Sequence, residues 1–142
     1  MGEMYTERLL DHYRRPRNKG QLEQPGSLIG EGRVLAAREY NPLCGDEVTV
    51  EALVEGGRIV EVRFDGRGCA LCMGAASILT EAVRGRSLEE LVSFGQDEYL
   101  EELGSTVRPA RLKCALLPWM AFRHAAFGED DWSLVDQKGD TL

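Results

Sequence analysis

Apolar and polar residues alternate along two neighbouring stretches of the chain, and this alternation predicts a β-hairpin. The apolar positions of the two stretches are Val48, Val50, Ala52, Val54, Val60, Val62 and Phe64. Gly56-Gly57 lies between the stretches and suits a tight turn. Arg33 to Tyr40 is a weaker strand that would join the hairpin as its third member. The pattern therefore predicts a three-stranded antiparallel sheet with one buried face.

Helical spacing of apolar residues is found on both sides of this sheet. Tyr5 to Tyr13 predicts an amphipathic helix that ends before Pro16. A second helix is predicted after Gly66-Arg67-Gly68 by an apolar stripe that consists of Leu71, Ala75, Ile78, Leu79 and Ala82. Gly85 is a suitable stop for this helix. Cys69 would then lie at or near the helix N-terminus.

The second half of the chain carries further helix signals. Asp97 is expected to cap a short helix that runs through Leu103. Pro109 suits the first turn of the next helix. Because proline lacks a backbone N–H, Pro118 is expected to break or kink that helix before a last helix that ends near Gly128.

These elements predict an α+β fold with an N-terminal helix, a three-stranded antiparallel sheet and then several helices packed on one face of the sheet. A chain of 142 residues suits one compact domain, which we place at residues 1–128. Residues 129–142 form an acidic and polar tail with few apolar anchors, and we expect this tail to pack loosely.

Composition and charge narrow the classes of function. The formal net charge of −7 argues against sequence-independent binding of nucleic acid, which depends on neutralising phosphates. No apolar run approaches the length of a membrane span, and the first residues lack the layout of a signal peptide. We therefore expect a cytoplasmic protein without nucleic-acid or membrane partners. In that reducing compartment the four cysteines are expected to be ligands or reactive thiols rather than disulfides.

Three of the cysteines lie in contexts that would expose a thiol or favour its thiolate. Cys44 lies in a turn-forming sequence that ends in Asp46, Cys69 follows a glycine-rich segment, and Cys114 follows Lys113. Reactive or metal-binding sulfur needs such settings. The loop after the first strand, the helix start after the third strand and a turn of a late helix can meet at one end of the sheet. The three thiols are therefore predicted to form one site.

Three thiolates and one further donor make a tetrahedral site suited to Zn²⁺ or to iron in an iron-sulfur cluster. Asp46 is the leading candidate for the fourth ligand, because it lies two residues from Cys44 and Gly45 gives the intervening backbone freedom. A carboxylate among thiolates would be the weakest and most exchangeable ligand. The alternative donors are His12 and His124, which lie far from the cysteine motifs in sequence.

Two cations and a fourth thiol also belong to the candidate site. Lys113 cannot bind a metal while protonated, but its charge would stabilise a thiolate or a persulfide on Cys114. Arg111 adds to that positive charge or is a solvated cation. Cys69 and Cys72 form a Cys-x-x-Cys pair, but the chain lacks the second pair of a zinc ribbon and the βαβ pattern of a thioredoxin. We interpret Cys72 as a small buried core residue.

The motifs Asn-Pro-x-Cys-Gly-Asp, Gly-x-Gly-Cys-Ala and Arg-x-Lys-Cys-Ala together carry a family likeness. Across roughly residues 4–127 the chain resembles the IscU/NifU-type iron-sulfur cluster scaffold proteins. The resemblance implies a protein that accepts persulfide sulfur from a cysteine desulfurase, holds a transient [2Fe-2S] cluster or Zn²⁺, and passes the cluster to apo-proteins. By motif, it implies that the ligands are Cys44, Asp46, Cys69 and Cys114.

The chain combines features of two subtypes of this family. IscU-type members usually have His before the last cysteine, whereas this chain has Lys113, as SufU-type members do. SufU-type members typically carry an insertion between the second and third cysteines, whereas here Cys114 follows Cys69 by 45 positions. The resemblance therefore implies two candidates for the sulfur acceptor, which are Cys114 as in IscU-type members and Cys44 as in SufU-type members.

Three functions are compatible with these residues. The first is a non-enzymatic scaffold for cluster assembly, the second is a zinc-dependent sulfurtransferase that relays persulfide, and the third is an interaction module with a closed structural zinc. The expected partners of the first two are a cysteine desulfurase of the IscS or SufS type and apo iron-sulfur proteins. Weak self-association is a further expectation.

Overall fold

A computed structural model of the chain describes residues 6–22, 32–104 and 107–129. It contains helix α1, three strands and four further α-helices, with a short 3₁₀ turn at Pro109–Arg111 before the last one. The elements in chain order are α1 Glu7–Arg14, β1 Arg33–Asn41, β2 Asp46–Glu55, β3 Arg58–Arg67, α2 Ala70–Val83, α3 Leu88–Leu91, α4 Gln96–Leu103 and α5 Leu112–Phe127. The predicted α+β order of elements is confirmed.

The three strands form one antiparallel sheet with β2 in the centre. Gly56 and Gly57 make the predicted hairpin turn, and both have positive φ angles that favour glycine. The pairing shifts register next to Val54, which stands opposite Ile59. Because this irregularity adds one residue to β3, Ile59 is buried and Val60 is 37% exposed. The predicted burial of Val60 is therefore wrong.

The helices cover one face of the sheet and enclose the core between them. The buried face of β2 consists of Val48, Val50, Ala52 and Val54. Helix α5 packs against β1 and β2, α2 packs against β3 and α5, and α1 packs against α2. A Cβ atom on Gly74 would lie 2.8 Å from the carbonyl oxygen of Leu9, so the close approach of α1 to α2 requires glycine there.

The predicted cap at Asp97 and the predicted separate helix after Pro118 are wrong for different physical reasons. The residue that caps α4 is Gly95, and Asp97 instead lies in the first helical turn, where a carboxylate complements the helix dipole. Helix α5 continues through Pro118 without a break. Pro118 costs the helix one backbone hydrogen bond. The residues around Pro118 are buried in the core, however, and this packing keeps the segment helical.

Other predicted boundaries fall partly outside the described residues. Helix α1 begins at Glu7, and the Thr6 side chain caps it by accepting from the Leu9 N–H at 3.1 Å. The acidic tail lies outside the described residues from position 130 onward, so the division into 1–128 and 129–142 stays a prediction. Among the described residues, no helix is both long enough and apolar enough to cross a membrane.

Candidate metal and sulfur site

Cys44 lies in a tight turn that joins β1 to β2 at one end of the sheet. Asn41 closes this turn, because its carbonyl accepts from the Cys44 and Gly45 N–H groups at 3.3 and 2.8 Å, and its side chain accepts from the Leu43 N–H at 3.1 Å. Gly45 has a φ of +79°, which few other residues adopt. The turn leaves Cys44 exposed.

Asp46 begins β2 directly after this turn and is only 6% exposed. The register of the sheet pairs Asn41 with Asp46 and the next residue, Glu47, with Arg67, which places Asp46 beside the end of β3. A Cβ atom on Gly68 would lie 2.9 Å from the Asp46 carboxyl carbon. Glycine at position 68 therefore leaves the space that the buried carboxylate occupies.

The other two thiols come from the starts of helices. Cys69 is the N-cap residue of α2, and its side chain makes no capping bond, so the sulfur is available to other partners. Cys114 lies in the first turn of α5 and is 6% exposed. Both helices start at the end of the sheet that carries the Cys44 turn, and this brings residues far apart in sequence together.

The structure brings the sulfur atoms and one carboxylate within a few ångströms of each other. The sulfurs of Cys44 and Cys114 lie 3.8 Å apart, and Cys69 Sγ lies 3.7 Å from Asp46 Oδ2. The ligand atoms of Cys44, Asp46 and Cys114 all lie within 4.8 Å of one another. Among the described residues this group of three does not include Cys69, which approaches it through the contact with Asp46 Oδ2.

These distances fit a bound tetrahedral metal ion. With zinc–sulfur bonds of about 2.3 Å, two thiolate ligands of a tetrahedral zinc lie about 3.8 Å apart. The Cys44–Cys114 separation has this value. Soft sulfur donors with one carboxylate suit Zn²⁺ or iron rather than Mg²⁺ or Ca²⁺. The assignment of Cys44, Asp46, Cys69 and Cys114 as ligands stays a prediction that this geometry favours.

The pKa values of Cys69 and Cys114 are shifted in opposite directions. The hydrogen bond from the Cys114 thiol lowers the pKa of Cys69 to about 6, with help from the Cys72 backbone N–H and from Arg111, and against the effects of burial and Asp46. The same hydrogen bond, together with burial, raises the pKa of Cys114.

Comparison with known sequences decides the family. Residues 4–128 match the family described as the NifU-like N terminal domain. The match covers the helix, the sheet and the three cysteine motifs. The chain belongs to the NifU-like N-terminal domain family. The resemblance to IscU/NifU-type proteins is thereby confirmed.

Relatives within the NifU-like family carry two kinds of name. The zinc-dependent sulfurtransferase SufU of Bacillus subtilis is 29% identical over 89% of this chain and 92% of its own length. The iron-sulfur cluster assembly scaffold protein IscU of Haemophilus influenzae is 34% identical over 85% of this chain and 91% of its own length. A solved SufU from Fervidobacterium islandicum, described as an iron-sulfur cluster assembly scaffold of the SUF system, superposes with a TM-score of 0.66 at 25% identity, covering 86% of this chain and 96% of that one.

Arg111 is a cation that contacts sulfur in this NifU-like domain. Its guanidinium Nη2 donates to Cys69 Sγ at 2.9 Å, and Arg111 also lowers the pKa of Cys114 against the larger effects of Cys69 and of burial. Of the two roles left open by the sequence, the structure supports the one in which Arg111 adds positive charge at the thiols. Its spacing three residues before Cys114, about one helical turn, is a sequence signal that Arg111 lies near that thiol, whereas its contact with Cys69 has no local signal.

Lys113 lies on the outer side of the helix that carries Cys114. Its side chain is exposed and lines a cleft of about 70 Å³ together with Tyr40, Asn41 and Pro42. The predicted effect of Lys113 on Cys114 stays a prediction.

Cys72 and the two histidines have other surroundings. Cys72 is fully buried, and this burial raises the pKa of its thiol, so the interpretation as a core residue is confirmed. His12 Nδ1 lies 2.7 Å from Ser77 Oγ, and His124 Nδ1 lies 2.9 Å from Glu39 Oε2. Within the described residues, the group of potential metal ligands contains neither histidine.

Proposed function

We propose that this NifU-like domain is a scaffold for iron-sulfur cluster assembly. It accepts sulfur from a cysteine desulfurase, builds a transient [2Fe-2S] cluster and passes the cluster to apo-proteins. The observation that carries this proposal is the convergence of three thiols and one buried carboxylate at the rim of a domain whose relatives include named cluster scaffolds. Iron and sulfide are then the cargo of the site rather than permanent parts of the protein.

The proposal gives each residue of the site a role. Cys44, Cys69 and Cys114 bind the iron of the cluster, or Zn²⁺ in its place, and Asp46 is the fourth ligand. Bound Zn²⁺ would keep the thiols deprotonated and gathered. A carboxylate binds these metals less strongly than a thiolate does, so Asp46 is the ligand that an incoming acceptor displaces. Lys113 adds positive charge next to Cys114.

The role of Asp46 predicts that Asp46→Ala lengthens the lifetime of a reconstituted cluster several-fold, because the exchangeable ligand is lost. The lifetime is measured anaerobically from the decay of the visible absorption of the cluster in the presence of a chelator. Glu47→Ala is the matched control, because Glu47 is the adjacent carboxylate and pairs with Arg38 and Arg67. A cluster that decays at the same rate or faster in Asp46→Ala would contradict the proposed lability.

A zinc-dependent sulfurtransferase is the second candidate function. It is favoured by the SufU relative, which aligns with 89% of this chain and is named for zinc-dependent sulfur transfer. Desulfurase turnover measured with zinc-loaded and zinc-stripped protein tests this function. Stimulation by the loaded form alone, without transfer of a cluster to an acceptor, would favour the sulfurtransferase over the scaffold.

The decisive experiment combines the full chain with a cysteine desulfurase, cysteine and ferrous iron under anaerobic conditions. Absorption and Mössbauer spectra report whether a cluster forms, and incubation with apo-ferredoxin reports whether the cluster is transferred. The scaffold proposal expects both results. A chain that takes up sulfur but never holds a cluster would refute it, and so would a site that retains zinc throughout.

The remaining proposals concern partners and location. A cysteine desulfurase is the expected sulfur donor and apo iron-sulfur proteins are the expected acceptors, while weak self-association would allow two chains to share one cluster. All four cysteines are free thiols, which suits a reducing compartment, and we place the protein in the cytoplasm.

A further inference from the structure

The thiols of the site differ in their hydrogen bonding and in their exposure to solvent. Cys69 Sγ accepts a hydrogen bond from the Arg111 guanidinium at 2.9 Å and lies 3.7 Å from Asp46 Oδ2. Cys44 lies on an exposed turn, and its sulfur lies 3.8 Å from that of Cys114. One sulfur is thus held by a charged donor, while another faces the solvent.

The fold sets the position of Arg111 before any ligand binds. Arg111 ends the 3₁₀ turn that precedes α5, and its backbone N–H bonds to the Arg108 carbonyl at 2.9 Å. Its side chain spans from α5 to the start of α2, where it meets Cys69. Because a guanidinium presents its donors in a rigid plane, it can hold the Cys69 sulfur in a fixed direction.

Sulfur transfer makes specific demands on the accepting sulfur. The thiolate of the acceptor attacks the outer sulfur of a donor persulfide, a new S–S bond forms, and the S–S bond of the donor breaks with its electron pair leaving on the donor thiolate. The step needs no external oxidant or reductant. It does need an accessible attacking sulfur with a free lone pair. The hydrogen bond from Arg111 occupies a lone pair of the half-buried Cys69, whereas the turn leaves Cys44 exposed.

We propose, on the basis of the proposed function, that Arg111 is a positioning residue that holds Cys69 as a ligand and thereby directs incoming sulfur to Cys44. Arg111 acts through Cys69 and does not take part in the transfer. Without it, the sulfur of Cys69 loses its charged donor and becomes a competing acceptor.

Peptide mass spectrometry tests this proposal on the full chain as purified. One arm supplies cysteine persulfide as a small-molecule donor, and the other supplies a cysteine desulfurase with cysteine. After alkylation, trypsin separates the candidates, because Cys44, Cys69 and Cys114 lie on the peptides 39–58, 68–84 and 114–123. Fragmentation of peptide 68–84 distinguishes Cys69 from Cys72.

We expect persulfide mainly on Cys44 in the native chain. In Arg111→Gln the ratio of label on Cys69 to label on Cys44 should rise about tenfold, which corresponds to the loss of one charge-assisted hydrogen bond. Arg111→Lys keeps a cation and should restore part of the native ratio. Arg108→Gln is the matched control, because it removes an exposed cation from the same turn and leaves its backbone bond intact.

The outcomes distinguish the role of Arg111 from the proposed sulfur-acceptor function on which it rests. An unchanged ratio in Arg111→Gln, or a native chain labelled mainly on Cys69, would overturn the role of Arg111 while leaving sulfur acceptance intact. Labelling by the small molecule but not through the desulfurase would refute the proposed partner, and the ratio would still test Arg111. If neither donor labels any of the three peptides, both the sulfur-acceptor function and the role of Arg111 fail.

Discussion

Helix α2 carries one group of reactive side chains at its N-terminus and a second group of polar side chains around its middle. At the N-terminus, Cys69 meets Asp46 at 3.7 Å, and the Cys44 and Cys114 sulfurs of the same site lie 3.8 Å apart. Around the middle, Ser77 Oγ meets His12 Nδ1 at 2.7 Å and accepts from the Arg17 N–H at 2.8 Å. The first group is spaced for a shared ion and the second for direct hydrogen bonds.

This difference shows which groups have donor capacity left for a ligand. Ser77 accepts from the Arg17 N–H, so its own proton is available to His12 Nδ1, and His12 can donate from Nε2 toward Glu81 at 3.5 Å. Both ring nitrogens of His12 are then used within the fold. The thiols instead lie at distances that a metal would bridge. Histidine and cysteine can both bind metals, so the spacing of the atoms, and not the residue type alone, identifies the ligands here.

The largest predicted effect is on zinc binding at the N-terminus of α2. Cys69→Ser should weaken zinc binding at least about 100-fold. Loss of a residue that only supports a metal ligand lowers the affinity about 10–100-fold, and loss of a ligand itself should lower it further. Serine is a preferred N-cap residue, so the metal-free variant should stay folded. Competition with a chromophoric chelator measures the affinity. Cys72→Ala is the control, since Cys72 is fully buried and lies one helical turn away.

Either of two results would contradict the assignment of Cys69 as a ligand and Cys72 as a core residue. Native zinc affinity in Cys69→Ser would remove Cys69 from the ligand set. A loss in Cys72→Ala as large as in Cys69→Ser would show that the buried thiol takes part, which its full burial argues against. Melting curves of the metal-free variants separate lost binding from lost folding.

The sequence predicted the order of elements well, because alternation and helical spacing report directly which faces are buried. It failed where tertiary packing overrides a local rule. The irregular pairing beside Val54 moved burial from Val60 to Ile59, and core packing carried α5 through Pro118. Both depend on neighbours that are distant in sequence.

The candidate site was predictable to a similar degree. The motifs placed Cys44, Cys69 and Cys114 at the ends of elements, and the structure brings these ends together. The contact of Arg111 with Cys69 depends on the path of the chain between α4 and α5, which no local motif encodes. The sequence could therefore name Arg111 as a nearby cation but could not give its partner.

A second prediction addresses the hydrogen-bonded group at the middle of α2. Ser77→Ala should lower the free energy of unfolding by roughly 2 kcal/mol, because the half-buried Arg17 N–H and the buried His12 ring lose their partner. Urea unfolding followed by fluorescence measures this loss. Zinc affinity should be unchanged. Ser93→Ala is the control, since Ser93 is exposed and its hydroxyl donates to the nearby Glu90 carbonyl at 3.1 Å.

A joint loss of stability and zinc affinity in folded Ser77→Ala protein would contradict the separation of the two groups along α2. A Ser77→Ala variant as stable as the native chain would contradict the structural role of this group, because the hydrogen bonds of Ser77 would then contribute nothing to stability.

The smallest predicted effect is a pH dependence that arises from His12. Burial lowers the pKa of His12 below 6.5, and the charge of Arg17 acts in the same direction. Below about pH 6.5 the unfolded chain therefore binds a proton on His12 that the folded chain excludes. The free energy of unfolding then decreases as the pH is lowered. Between pH 6.5 and 5.5 this amounts to at most about 1 kcal/mol. Urea unfolding of metal-free protein measures it against His12→Asn, whose amide can still accept from Ser77. Equal pH slopes in the two proteins would show that His12 is not held neutral.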